Sequence, residues 1–278
     1  MQRKLLILTG LLAATQTLAE APIKRLTMRQ DLLGWEAVGR VEMGHEGYCT
    51  GALIAPDLVL TAAHCLFGGG TTYVQPSLMR FRAGLSDGVA LAESGVVRMV
   101  VDPAYDPTSS DGATRILHDV GLMQLDTPVS LSTAAPFVTA TLSQGDRDLS
   151  VVSYGRGRDE ALSWDDDCNV VGRSGGLIAF DCDVTFGSSG APVFHRMGNR
   201  AAIVSLVSSG VSGSGQRLAF GMELPRTVEM LKTALRRGEG AAIAQASSAD
   251  RAAAKQAASD PAPAFGARGV GGAKFLRP

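Results

Sequence analysis

Short apolar runs separated by Gly, Pro, Asp and Ser recur between residues 36 and 224. Each run has the length of a β-strand and is too short for most helices. No convincing amphipathic helix interrupts the runs, so the pattern predicts an all-β barrel or sandwich rather than α/β alternation. The first series is Ala37–Val41, Gly51–Ile54, Leu58–Thr61, Met79–Ala83, Val96–Val101 and Val120–Leu125. The second series is Val151–Tyr154, Leu177–Phe180, Ala191–Phe194, Ile203–Val207 and Leu218–Leu224.

The two series predict two β units with a connection and a terminal helix. Ser130 to Asp148 is rich in Ser, Thr and Ala, which is typical of a connection between units. Pro225 begins a helical pattern over Arg226–Arg237, which we expect to dock on the second unit. The predicted barrels cover about residues 35–130 and 150–225. Residues 238–278 are rich in Ala, Gly, Ser and Pro, so they are expected to be a disordered tail.

The first 19 residues have the pattern of an export signal. Met1-Gln2-Arg3-Lys4 is basic, Leu5 to Ala14 is apolar, and Thr17-Leu18-Ala19 supplies small residues for cleavage. The apolar run is too short to span a bilayer, which needs about 20 residues. We therefore expect a secreted or periplasmic protein without stable membrane insertion. Residues 20–34 could be a removed leader or an ordered N-terminal arm.

Charge and cysteine content narrow the function classes. The chain has 26 Lys and Arg against 27 Asp and Glu, so it has no net positive charge that would favour binding to nucleic acid. Four cysteines in an exported chain suggest two disulfides with three possible connectivities. No two cysteines have the spacing of a zinc site, and we expect neither a metal nor a cofactor.

Three segments carry the residue types of nucleophilic catalysis. Thr61-Ala62-Ala63-His64-Cys65 places a histidine on a tight turn after a strand, and Asp119 opens the apolar strand that follows His118. Gly187-Ser188-Ser189-Gly190 flanks a serine with small residues, so the chain can turn sharply and expose its hydroxyl. The amides of Gly187 and Ser189 would then point at one place, as an oxyanion hole requires. Each segment is weak evidence by itself, because Asp at a strand start and Gly-Ser turns are common.

Together the segments resemble the trypsin-like serine peptidase family, over about residues 35–237. The resemblance implies two perpendicular six-stranded β-barrels with a C-terminal helix, and a catalytic triad of His64, Asp119 and Ser189 between the barrels. It also implies that Ser205 donates a hydrogen bond to Asp119. The implied disulfides are Cys49 to Cys65 and Cys168 to Cys182.

Two departures qualify the resemblance. Family members activated from zymogens carry Asp immediately before the nucleophile, where this chain has Ser188, and no Ile-Val-Gly-Gly-like start is present. The segment from Cys182 to Pro192 instead resembles the bacterial glutamyl-endopeptidase-like branch, which lacks that switch. Asp183 stands where trypsin carries the acid that selects basic residues, although the bacterial branch can have Asp there without that preference. Val207, where trypsin has Gly, is expected to narrow the pocket.

These features predict a serine endopeptidase acting on polypeptides, with an unknown oligomeric state. A catalytically silent relative that binds or regulates is the main alternative. A quality-control protease would need PDZ modules, for which the tail is too short and polar, and a lipase would need a different order of triad residues. His45 and His195 are expected at the surface, and Asp165-Asp166-Asp167 is expected to be a solvated loop rather than a calcium site.

Overall fold

The first β-rich series forms a closed barrel in the computed structural model, which describes residues 23–197, 200–213 and 216–242. Each strand of this barrel pairs with two others. The pairing of β2 with β5 and the pairing of β6 with β7 close the ring. Alternate side chains point inward, as in Met79–Ala83, where every second residue is buried. The strands are β2 (Val38–Met43), β3 (Tyr48–Ala55), β4 (Leu58–Thr61), β5 (Met79–Ala83), β6 (Ala92–Val101) and β7 (Gly121–Leu125).

The second series forms a seven-stranded sheet in the order β12-β11-β8-β9-β10-β14-β13. The sheet curls back on itself, because the Ser205 hydroxyl of β12 donates a hydrogen bond to the Met222 carbonyl of β14 at 2.9 Å. The all-β prediction is thus confirmed, with the first barrel closed by six strands and the second sheet built from these seven strands and one short strand from the N-terminal segment. The strands are β8 (Asp148–Gly155), β9 (Arg158–Ser174), β10 (Leu177–Phe180), β11 (Pro192–Met197), β12 (Arg200–Leu206), β13 (Ser209–Gly213) and β14 (Gln216–Met222).

Strand β9 contains the acidic run that was predicted to be a solvated loop, and that prediction is wrong. Asp166 and Asp167 are exposed, but Asp165 is buried within the strand. Its carboxylate accepts the backbone N–H of Asp183 at 2.7 Å and lies 3.9 Å from a guanidinium nitrogen of Arg217. Burial raises the pKa of Asp165, and these donors oppose that shift. An acid that receives donors from residues distant in sequence can therefore occupy a strand whose pattern argues against it.

Each terminal segment packs on the barrel that is more distant in sequence. The N-terminal strand β1 (Lys24–Arg25) pairs with β9, and Leu26 beyond it is completely buried. Residues 23–34 are therefore an ordered arm in this structure. At the other end, helix α2 (Pro225–Arg236) buries Val228, Leu231 and Leu235 and contacts β6 and β7. The expectation that this helix docks on the second unit is wrong.

The chain continues past α2 into a short strand, β15 (Ala241–Ala242), which pairs with β6. Order therefore extends a few residues beyond position 238, where the predicted tail begins. The predicted signal, residues 1–19, and residues 243–278 of the predicted tail lie outside the described residues. Within the described part of the chain, no helix is long and apolar enough to cross a membrane.

Candidate active site

His64 lies in a short 3-10 helix, Ala63–Leu66, that follows β4 at the rim of the first barrel. The Cys49 to Cys65 disulfide ties this turn to β3, and the Cys168 to Cys182 disulfide joins β9 to the segment that precedes Ser189. Both implied pairings are thus present. The first bridge links the residue after His64 covalently to the neighbouring strand, which limits movement of the turn.

Asp119 lies in the turn between helix α1 (Gly112–Leu117) and β7 and is almost completely buried. One carboxylate oxygen accepts the backbone N–H of His64 at 2.8 Å, and the other lies 2.7 Å from His64 Nδ1. The Ser208 hydroxyl donates to the second oxygen at 2.6 Å. Three hydrogen bonds therefore hold the carboxylate against one edge of the imidazole.

The hydrogen bond to Asp119 was predicted from Ser205, and the structure corrects that prediction to Ser208. Ser205 lies inside β12, and its hydroxyl donates to the Met222 carbonyl. Ser208 lies beyond the end of that strand, where the chain reaches the cleft. A signal for this was present in the sequence: a serine inside an apolar run belongs to the core, while a serine after the run is free to face a site.

Val207 was predicted to narrow the substrate pocket, and the structure places it elsewhere. It is completely buried, its carbonyl accepts the Gly190 N–H at 2.7 Å, and its own N–H donates to the Ala191 carbonyl at 2.9 Å. A residue with no exposure cannot line a pocket wall, so that prediction is wrong. Val207 instead fixes the backbone that follows Ser189.

Ser189 lies in a loop between β10 and β11 that is pressed against the first barrel. Its carbonyl accepts the Thr50 N–H of β3 at 2.9 Å. Gly190, with φ of +74°, lies so close to β4 that a Cβ there would be 2.2 Å from Thr61 Oγ1. The loop therefore approaches the strand that leads to His64 more closely than a residue with a side chain would permit.

The Ser189 hydroxyl was expected to be exposed, and this expectation is wrong, because the residue is only 1% exposed. Its Oγ and the Nε2 of His64 are both buried, and neither has a hydrogen-bond partner among the described residues. The Oγ of Ser209, next to Ser208, is also buried without a partner in that part of the chain. Buried polar atoms without partners are rare in folded proteins, and this group marks the cleft as a candidate site.

The amides of Gly187 and Ser189 make no hydrogen bond with the described part of the chain. The Phe186 carbonyl accepts the Arg156 N–H at 2.8 Å. Since the N–H and C=O of a trans peptide point in opposite directions, the Gly187 N–H is directed away from Arg156. The Gly187 carbonyl, in the next peptide, accepts the Thr50 hydroxyl at 2.8 Å, so both peptides that flank Gly187 are held.

Ser188, which replaces the acid of zymogen-activated relatives, is held by neutral groups. Its hydroxyl lies 3.1 Å from the Ser153 hydroxyl and accepts the Thr185 N–H at 3.3 Å. The Thr50 hydroxyl also accepts the Tyr154 N–H of β8 at 3.0 Å. The loop that carries Ser189 is thus fixed by hydrogen bonds that need no ionic partner. Thr50, Ser153 and Tyr154 were missed in the sequence, because nothing in their local pattern shows which distant groups they bind.

Asp183, the predicted pocket acid, has a carboxylate that is 42% exposed and lies 3.9 Å from an Arg158 guanidinium nitrogen. Arg158 also donates to the Asp183 carbonyl at 3.2 Å. Burial lowers the pKa of Arg158, while the charges of Asp183 and Asp165 oppose that change. The negative charge of Asp183 therefore has a cation beside it within the chain.

The other histidines lie outside this constellation. His118 Nδ1 is 3.0 Å from Asp102, His195 Nε2 is 3.5 Å from Asp146, and His45 is exposed. Burial raises the pKa of Tyr105, and the negative charge of Asp119 raises it further. Its hydroxyl therefore stays protonated beside the carboxylate.

Residues 49–203 match the family model described as a trypsin-like peptidase domain. The chain belongs to this family. Among curated proteins, this trypsin-like chain is 32% identical to Serine protease 7 of Drosophila melanogaster over 126 residues, which cover 39% of the chain and 31% of that protein. It is 34% identical to Serine protease 56 of Homo sapiens over 100 residues, which cover 34% of the chain and 14% of that protein. The matched segments thus span less than a third of either relative.

Solved structures show that the trypsin-like chain has the chymotrypsin-like fold. A Glu endopeptidase in complex with MPD has a TM-score of 0.61 at 18% identity, covering 77% of this chain and 98% of that chain. A thermostable serine protease, AL20, from an extremophilic microorganism has a TM-score of 0.59 at 19% identity, covering 74% of this chain and 99% of that chain. At these identities the likeness concerns the fold and not the substrate.

Proposed function

We propose that the protein is a serine endopeptidase that hydrolyses polypeptides through His64, Asp119 and Ser189 and an acyl-enzyme intermediate. The observation that carries the proposal is the buried Asp119 carboxylate, which accepts both the backbone N–H of His64 and the Ser208 hydroxyl and faces His64 Nδ1. Such a carboxylate keeps the proton on Nδ1 and leaves Nε2 free to act as a base. Membership of the trypsin-like family supports the same assignment.

The proposed reaction begins when His64 Nε2 takes the proton of Ser189 Oγ as that oxygen attacks the substrate carbonyl carbon. The carbonyl oxygen becomes negative and accepts hydrogen bonds from the amides of Gly187 and Ser189. The imidazolium then gives its proton to the leaving amine, the C–N bond breaks, and an acyl ester remains on Ser189. Water deprotonated by His64 hydrolyses that ester by the reverse sequence.

The buried state of Ser189 Oγ and His64 Nε2 fits this chemistry. Neither atom has a hydrogen-bond partner within the described chain, so neither is committed to a structural role. Catalytic hydrogen bonds are often loose without substrate and tighten in the complex. Burial from bulk solvent also strengthens the interaction between an oxyanion and its donors.

An extended peptide can pair with β13, which begins one residue after Ser208. This strand pairs with β14 on one side and has no strand partner on its other edge among the described residues. A free edge offers backbone donors and acceptors to a peptide of any sequence. We therefore place the acyl half of a polypeptide substrate on β13, and we expect no nucleic acid partner.

Export is part of the proposal. The basic, apolar and small-residue pattern of residues 1–19 indicates a signal, and two disulfides persist in secreted and periplasmic compartments. The arm around Leu26 contributes to the core and pairs with β9, so we expect it to be retained in the mature enzyme rather than removed as a leader. Mass spectrometry of the exported protein would define its N-terminus.

A fluorophosphonate probe tests the proposed nucleophile. The folded wild type should become labelled, whereas Ser189→Ala and His64→Ala should label at least 1,000-fold more slowly, on the order expected for loss of a triad member. Ser143→Ala is the matched control, since Ser143 is exposed at the surface. Wild type that stays unlabelled while folded, or Ser189→Ala that is labelled normally, would favour a catalytically silent binding protein.

A further inference from the structure

Two aromatic side chains, Tyr48 and Phe186, lie beside the proposed oxyanion hole. The Tyr48 ring packs so closely on Gly187 that a Cβ there would lie 2.3 Å from a ring carbon. Phe186 precedes Gly187, and the guanidinium carbon of Arg156 lies 4.0 Å from the centroid of its ring. A fixed cation therefore stacks on the residue that precedes one of the proposed oxyanion donors.

Among the described residues, Arg156 differs from the neighbouring arginines because no carboxylate forms an ion pair with it. Arg40 forms an ion pair with Glu42, and Arg158 lies beside Asp183. The side chain of Arg156 is exposed. Its position is nevertheless defined, because its backbone N–H bonds to the Phe186 carbonyl and its guanidinium stacks on the ring of that residue.

We infer that Arg156 binds a carboxylate on the substrate, within the two residues that follow the scissile bond, and so gives the enzyme a preference for acidic leaving segments. The inference rests on the proposed function. The Gly187 backbone, a proposed oxyanion donor, packs against Tyr48 and follows Phe186, so we place the leaving half of the substrate beside these two rings. An exposed guanidinium presents a planar fork of donors that matches a carboxylate.

We expect the charge of Asp159 to compete with this binding. Burial is the main cause of the raised pKa of Tyr48, and the charge of Asp159 adds to it, while Arg40, Arg156 and Arg158 lower it. Asp159 and Arg156 therefore act on the same small region around Tyr48. Removing the Asp159 charge should strengthen a preference for acidic residues, and removing the Arg156 charge should abolish it.

The test compares peptides that differ only in the two residues after the cleaved bond, which are Glu-Glu, Ala-Ala or Lys-Lys. We expect wild type to prefer Glu-Glu over Lys-Lys by about three- to tenfold in kcat/KM, and the ratio to shrink at high salt. Arg156→Ala should bring the ratio close to one, Arg156→Glu should invert it, and Asp159→Asn should enlarge it. The matched control is Arg147→Ala, an exposed arginine just before the other end of β8, about 30 Å away along the strand.

A binding measurement separates this inference from the proposed function. In Ser189→Ala, the affinity of the same peptides is read by fluorescence anisotropy whether or not the wild type cleaves them. If the Glu-over-Lys ratio is the same in Ser189→Ala and in the double variant Ser189→Ala/Arg156→Ala, the inference is overturned, even where hydrolysis supports the peptidase proposal. A ratio that depends on Arg156 supports the inference even where cleavage is absent.

Discussion

The two β units contribute to the cleft by different means. The first barrel is a closed ring, and it supplies His64 and Asp119 from turns at its rim that a disulfide and two hydrogen bonds hold in place. The second sheet curls without a continuous ring of paired strands and supplies Ser189 from an irregular loop. That loop also contacts the first barrel, where the Thr50 hydroxyl donates to the Gly187 carbonyl and Thr61 lies close to Gly190.

The difference indicates that the nucleophile loop is held by both units, through Thr50 of the first barrel and through Ser153 and Val207 of the second. Mutations in the first barrel that face this loop should therefore disturb the proposed oxyanion hole. Mutations inside the second sheet that contact neither this loop nor Asp119 should mainly change stability.

The largest effect is expected from Gly190→Ala, because the new methyl group would lie 2.2 Å from Thr61 Oγ1 and 2.5 Å from the Thr50 carbonyl. We expect a loss of about 3 kcal/mol or more in the free energy of unfolding, together with loss of activity. Gly157→Ala is the control, since Gly157 has a similar φ of +77° with no atom within 4 Å, and it should cost only about 1 kcal/mol. Urea denaturation of both variants gives the comparison, and equal losses would show that the loop is not pressed on the first barrel.

Removal of either disulfide should lower stability by a similar amount, but the two removals should lower activity by different amounts. The bridges join cysteines that are 16 and 14 residues apart, so Cys49→Ala/Cys65→Ala and Cys168→Ala/Cys182→Ala should each cost about 3 kcal/mol. Activity below the melting temperature should fall more in the first variant, because Cys65 adjoins His64 and Cys49 adjoins Thr50. If kcat/KM falls equally in both, the proposed rigidity of the first barrel is not what positions the base.

Thr50→Val removes the hydroxyl that links the barrels. The Tyr154 N–H would lose its acceptor and the Gly187 carbonyl would lose its donor, which should lower the free energy of unfolding by about 2 kcal/mol. We also expect about a tenfold fall in kcat, since the Gly187 peptide would be less firmly held. Thr50→Ser keeps the hydroxyl and should restore kcat, and a Thr50→Val enzyme with unchanged kcat would show that Thr50 does not position the oxyanion hole.

The smallest effects should distinguish two serines of the second sheet. Ser208→Ala removes a hydrogen bond to a charged group at the site, so kcat should fall about tenfold with little change in melting temperature. Ser205→Ala removes a bond between β12 and β14, so the free energy of unfolding should fall by about 1 kcal/mol with kcat nearly unchanged. The reverse pattern in thermal melts and steady-state kinetics would restore the original prediction for Ser205.

Local patterns in the sequence predicted much of the first barrel. The runs around β2 to β7 alternate or are continuously apolar, and the Thr61-Ala62-Ala63-His64-Cys65 segment placed the histidine beside its disulfide. The second sheet was predicted less completely. Strand β9 was missed because its acidic run argues against a strand, and Asp165 is tolerated there through a backbone group of the distant Asp183.

The sequence by itself therefore determined the strand-rich fold class and suggested the candidate triad, because both depend on residue type and local pattern. The disulfide partners were implied by the family resemblance, since the cysteine count alone left three connectivities open. Only the tertiary structure decided that Ser208 rather than Ser205 bonds to Asp119, that Val207 is buried, and that α2 packs on the first barrel. These outcomes depend on where a strand ends and on which distant part of the chain a strand or helix packs against. The physical reason is that a one-dimensional pattern specifies which faces must be buried, but the partner that buries them is selected by the packing of the whole chain.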